Sequence, residues 1–134
     1  MTLEHNIRRA YIDTLLDGGH TRIADVSNPT EGYIVGGVTE TTTMANPITE
    51  LALTDVNSHF EGFTKLWRKY EMELDGYTSN LYKAGMGIGT WIHEGQIYFD
   101  LVQHMNDLDV ATDIAKKRGE IAIYDCKNQK DILL

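Results

Sequence analysis

The run from Gln96 to Met105 constrains this chain more than any other. Ile97, Phe99, Leu101 and Met105 fall on one side of an extended strand. Gln96, Tyr98, Asp100 and His104 fall on the other, with Val102 among them. Successive strand side chains point to opposite faces, so this alternation predicts a sheet with one face on a core. Upstream, Gly87 to His93 reads as a partner strand, joined through Glu94-Gly95, a two-residue hairpin signal. Downstream, Asp107 is placed to cap a helix that runs to Arg118, with Leu108, Ala111, Ile114 and Ala115 inward. Lys116, Lys117 and Arg118 suit the negative end of its dipole, and Gly119 stops it. Glu120 to Cys126 then forms a short apolar strand. A strand–helix–strand run with a short return normally crosses over right-handed to a parallel neighbour. The expectation is a single α+β domain over 1–134, with a mixed β-sheet and helices mainly on one face. Its C-terminal part is a β-hairpin–helix–strand unit from Gly87 to Asp125.

The N-terminal part is patterned less sharply. Leu3, Ile7, Tyr11 and Leu15 recur every four residues and predict a helix to Asp17, ended by Gly18-Gly19. His20 to Asp25 reads as a short strand, and Ser27-Asn28-Pro29-Thr30 as a turn. Tyr33 to Val38 reads as a second strand, in which Gly36-Gly37 signals a bulge or a close backbone approach. Thr39 to Met44 is rich in β-branched Thr and reads as a third strand, broken by Asn46-Pro47. The longest helical pattern follows. Val56, Phe60, Phe63, Trp67, Tyr70 and Leu74 are spaced alternately by four and three, a seam of period 3.5. Such a seam reads first as core; it is also wide enough to pack partly on a second copy. Tyr77 to Gly85 reads as a connecting loop.

Charge and cysteine content exclude several function classes. The formal net charge is −8. Residues 1–60 hold eight acids and three bases, and residues 61–134 hold twelve acids and nine bases, so both parts are acidic. Direct nucleic-acid binding needs clustered Lys or Arg to release counterions, and no such arm exists in the sequence. The acidity keeps a small protein soluble, and it also suits a surface that mimics a phosphate backbone. One cysteine, Cys126, allows no internal disulfide, so a cytoplasmic setting is expected. No signal peptide, lipidation motif or membrane span is read.

The stretch Gly89-Thr90-Trp91, Tyr98-Phe99-Asp100, Ala111 and Glu120 to Asp125 resembles a pattern in small, mostly uncharacterised proteins of bacteriophages and mobile elements. The Gly18-Gly19 turn after an N-terminal helix and the strand Gly32-Tyr33-Ile34-Val35 match the same pattern. The resemblance covers about two thirds of the chain. It implies a phage accessory protein acting in the host cytoplasm. By analogy with phage proteins of this size, it implies counter-defence, by blocking a host defence protein or taking up a nucleotide signal.

The residues themselves carry no catalytic signature. Five histidines are scattered, with no His-x-x-x-His pair, so neither a zinc site nor any cofactor is expected. Gly85-Met86-Gly87-Ile88-Gly89 precedes a strand rather than a helix, which rules out a phosphate-cradling loop. The residues that point to binding are Trp91, Tyr98, Asp100, His104, Tyr124 and Asp125. Aromatics beside carboxylates stack on a base and accept its hydrogen bonds. Arg8, Arg9 and Arg22 are the expected cations for a phosphate. The leading expectation is a non-catalytic homo-oligomer that sequesters a nucleotide-type small molecule. The first alternative is an acidic inhibitor that occludes a host nucleic-acid-binding defence enzyme. The second is a small hydrolase in which His93 and His104 face each other near the hairpin beside Asp100.

Overall fold

A computed structural model describes residues 3–23, 26–37, 43–47, 56–75, 85–93 and 96–134. Three helices and eight strands occur among them: α1 (Leu3–Asp17), β1 (Gly19–Ile23), β2 (Val26–Ser27), β3 (Tyr33–Val35), β4 (Thr43–Pro47), α2 (Val56–Asp75), β5 (Met86–His93), β6 (Gln96–Met105), α3 (Leu108–Lys117), β7 (Ala122–Asp125) and β8 (Lys130–Leu133). The strands form one sheet in the order β2-β1-β5-β6-β3-β7-β8, with β4 pairing β6 beside β3. The α+β expectation holds. The Glu94-Gly95 turn and residues 77–84 of the expected loop lie outside the described residues, as do Val38 and residues 39–42 of the expected strands.

Every described strand pair is antiparallel, which corrects one feature of the expected topology. β6 and β7 do run in the same direction around α3, as a crossover requires. They are not neighbours, because β3 is inserted between them and pairs antiparallel to both. A three-residue strand filled the slot that the crossover rule assigns to a parallel partner. Two strand boundaries also differ. β3 ends at Val35, and β4 covers Thr43–Pro47 rather than stopping before Asn46-Pro47. Pro47 follows a register shift between Met44 and Pro47, and among the described strands β4 pairs with β6 alone, a bulged edge position of the kind that tolerates proline.

The alternation in β6 divides the molecule. Pairing of Ile88 with Leu101, Thr90 with Phe99 and Ile92 with Ile97 sets these side chains on one face. That face packs against α1 and α2 through Ile7, Ala10, Tyr11, Phe63, Trp67 and Tyr70. Phe63, Trp67 and Tyr70 are 3, 0 and 0 % exposed, so this part of the α2 seam is core and offers nothing to a second copy. Each such burial contributes roughly 1.5–3 kcal/mol. The buried polar atoms of the two larger rings are satisfied: Trp67 Nε1 donates to Glu71 Oε1 at 3.1 Å, and Tyr70 Oη donates to the Phe99 carbonyl at 3.3 Å. α3 packs on the same face further along, Ala111 and Ala115 against Val35 and Ile123. Asp107 caps α3 by accepting from the N–H groups of Asp109 and Val110, and Gly119 (φ +76°) ends it. Among the described residues, no helix is long and apolar enough to cross a membrane.

Candidate functional site

The hairpin register places Trp91 directly opposite Tyr98 on the sheet face away from the helices. Their rings stack, with centroids 5.3 Å apart and planes 8° from parallel. Trp91 remains 37 % exposed, so it is not a core residue. The next row across the sheet is Thr21, Gly89 and Asp100, and the one after it Ile23, Gly87 and Val102. The aromatic pair therefore stands beside a row with no bulky side chain, ended by a carboxylate. Ile23, Ile34 and Val102 of this face are buried with Cys126 in a small apolar cluster. Burial pushes the Cys126 thiol up to about 11, with the Asp125 charge adding to the effect. A thiol so protonated is no nucleophile at neutral pH.

Asp100 is buried, in contrast to a residue on a solvated face. Its carboxylate accepts from the Gly37 N–H at 3.1 and 3.3 Å. This contact arises because β3 leaves β6 at Val35 and β4 joins it only at Phe99. The chain turns off at Gly36-Gly37, with Gly37 at φ +66°. A Cβ on Gly36 would collide with Asp100 Oδ2 and stand 2.5 Å from Glu120 Oε1. The close approach expected from the two glycines is thus an approach to two carboxylates. Burial raises the pKa of Glu120, and Arg118 opposes that rise. Arg118 donates to the Gly36 carbonyl at 3.4 Å and to Gln103 Oε1 at 2.7 Å, tying α3 to this junction.

His104 lies further along the same face, four residues from Asp100, which is roughly 13 Å in an extended strand. Its Nε2 is 2.7 Å from the Glu31 carbonyl oxygen; a carbonyl only accepts, so Nε2 carries the proton. His93 pairs with Gln96 at the opposite end of β6, eight residues from His104 and roughly 26 Å away. The histidines therefore do not face each other, and the proposed acid–base set of His93, His104 and Asp100 is not assembled. The β5–β6 pairing begins at His93 and Gln96, but β6 extends far past that point.

The remaining expected residues divide between the two faces. Tyr124 pairs with Ile34 and Asp131 on the face of Trp91, and its phenol pKa is raised, first by burial. Asp125 points the other way and holds the β7–β8 turn. It accepts from the N–H groups of Lys127 and Asn128 and from Asn128 Nδ2, which together lower its pKa. Arg22 is level with Ile88 on the helix face and donates to Ser27 Oγ at 3.0 Å. Arg9 pairs with Asp13 at 3.8 Å, and Arg8 lies 5.8 Å above the Phe60 ring. All three arginines thus belong to the helix side. They do not converge with Trp91 and Tyr98, because strand alternation sends Arg22 through the sheet and α1 carries the other two. Among the described residues, no strand position on the Trp91 face is Lys or Arg, and no cluster of His, Cys, Asp and Glu fits a metal ion.

Sequence reasoning missed a buried polar group between α1 and β1. His20 has its ring fully buried, with Nδ1 2.9 Å from Asp13 Oδ2. Its Nε2 has no hydrogen-bond partner among the described residues. Thr14 and Thr90, both buried, share a hydroxyl hydrogen bond of 2.7 Å nearby. The available signal was a histidine two residues after a helix-ending glycine, too weak to separate from an exposed one. No family model, no curated protein and no solved structure matches the chain.

Proposed function

We propose that this protein is a non-catalytic binding protein that occludes a basic, nucleic-acid-handling surface on a partner enzyme. The observation that carries the reading is the Trp91–Tyr98 stack, part-exposed on a face with no Lys or Arg at its described strand positions. An exposed aromatic face attracts a guanidinium or ammonium group, worth about 0.5–2 kcal/mol per contact. The net charge of −8 steers the same class of partner. The bacteriophage resemblance adds the setting, a host defence nuclease as the target. The assay is inhibition of purified defence nucleases at low and at high salt. Inhibition that weakens with salt and is lost in Trp91→Ala supports the reading; inhibition indifferent to both would sink it.

Sequestration of a nucleotide signal is the second reading, favoured by the stack alone, since a base can lie on Trp91. The placement of Arg8, Arg9 and Arg22 on the helix side leaves its phosphates without the cations first assigned to them. Calorimetry with cyclic and ADP-ribose-derived nucleotides decides it: no heat with any of them eliminates this version.

A further inference from the structure

On the helix side, between α2 and the β1–β5 pair, lies a cavity of about 100 Å³ lined by Arg22, Trp67, Glu71, Leu74, Met86 and Ile88. Trp67, Leu74, Met86 and Ile88 give it an apolar wall. Arg22 and Glu71 give it one charge of each sign. Arg22 uses Nη1 for Ser27 Oγ, its one hydrogen bond among the described residues. A guanidinium has five N–H donors, so most of its capacity remains for a ligand. Glu71 accepts Trp67 Nε1 through Oε1, which leaves Oε2 to accept another donor. The two charged groups make no ion pair with each other. An apolar protein cavity of about 150 Å³ holds benzene, so this one encloses an apolar group of about four carbons. It is part-open to solvent and its two charged residues are part-exposed, so the charged groups of a ligand need not be enclosed with that apolar body.

We infer that this cavity binds a small zwitterion with a short branched apolar body, the class of the aliphatic α-amino acids. The carboxylate pairs with Arg22, the ammonium with Glu71, and the apolar body lies against Leu74, Met86, Ile88 and the Trp67 indole. A simple acid would set its charge beside Glu71 with nothing to balance that carboxylate. A simple amine would do the same to Arg22. Only a ligand with both charges satisfies both partners, which is the basis of its selectivity.

The chain has two tryptophans, and Trp91 is on the opposite sheet face. Trp91→Phe therefore leaves Trp67 as the sole indole, and its fluorescence reports the cavity directly. The protein would be titrated with L-leucine and L-valine, and with the two half-ligands 4-methylpentanoate and 3-methylbutylamine. The expected result is a saturable change with the amino acids and affinity weaker by about tenfold or more for each half-ligand. Arg22→Gln and Glu71→Gln each reduce amino-acid affinity by a similar factor. Glu71→Gln keeps an oxygen to accept from Trp67 Nε1, and an unchanged circular dichroism spectrum and thermal midpoint confirm its fold. Absence of a saturable response to either amino acid overturns the inference. So does equal affinity for a half-ligand, or wild-type affinity in both folded variants. Because the titration is run without Trp91, its failure is distinct from failure of the proposed function.

Discussion

His20 makes stability depend on pH in a defined direction. Burial lowers its pKa, and the nearby charges of Arg9 and Arg22 add to that; the hydrogen bond and charge of Asp13 oppose it and lose. The unfolded chain takes up a proton at His20 as pH falls through about 6.5, while the folded protein resists it. Stability linked to His20 is therefore complete above that pH and is lost below it. The limiting slope for one proton is about 1.4 kcal/mol per pH unit, until the folded ring also protonates. Glu120 acts with the opposite sign. Its raised pKa lets the folded state keep a proton that the unfolded state releases above about 4.5, so its contribution falls as pH rises through that range. Glu120→Gln removes this opposing contribution. Urea unfolding of Glu120→Gln, in steps from about pH 7.5 to 5.5, is then compared with the same protein carrying His20→Gln, which keeps a donor for Asp13. The His20 protein should lose up to about 1.4 kcal/mol over the last unit, and the His20→Gln protein clearly less. Equal slopes, or a steeper loss in the His20→Gln protein, would refute the account of a buried neutral ring.

Two further outcomes follow from the junction and the small apolar cluster. Gly36→Ala should destabilise the fold by about 1–3 kcal/mol in chemical denaturation, because its Cβ must displace Asp100 or Glu120; a variant as stable as the parent contradicts the packing described. Cys126 should resist a thiol reagent in the native protein and react fully once unfolded, since it is 3 % exposed and its thiol is pushed up to about 11. Rapid native-state labelling contradicts its burial.

What the sequence made legible was local and strongly periodic. The Gln96–Met105 alternation sorted Phe99 and Leu101 from Tyr98 and Asp100 correctly, because a strand has only two sides. The α2 seam marked Phe63, Trp67 and Tyr70 as core, and Asp107 marked a helix start. What it did not make legible depended on distant pairing. β3 enters between β6 and β7 although nothing in Tyr33-Ile34-Val35 names its partners. β8, at Lys130–Leu133, went unread, since its polar start masks a strand whose register is set by the Asp125 turn. At the candidate site, the Trp91–Tyr98 pairing was readable from the two-residue turn. The separation of His93 from His104, and of the arginines from the aromatic pair, required strand length and side-chain direction together.

The most direct measurement is chemical-shift mapping of the protein with a short arginine-rich peptide. The indole N–H resonance of Trp91 and the amides of Gly89, Trp91 and Tyr98 should shift together and saturate, and the shifts should shrink as salt is raised. A peptide that leaves Trp91 and Tyr98 unmoved, or an anionic cyclic dinucleotide that moves them while the peptide does not, would contradict the claim that this face receives a cationic partner.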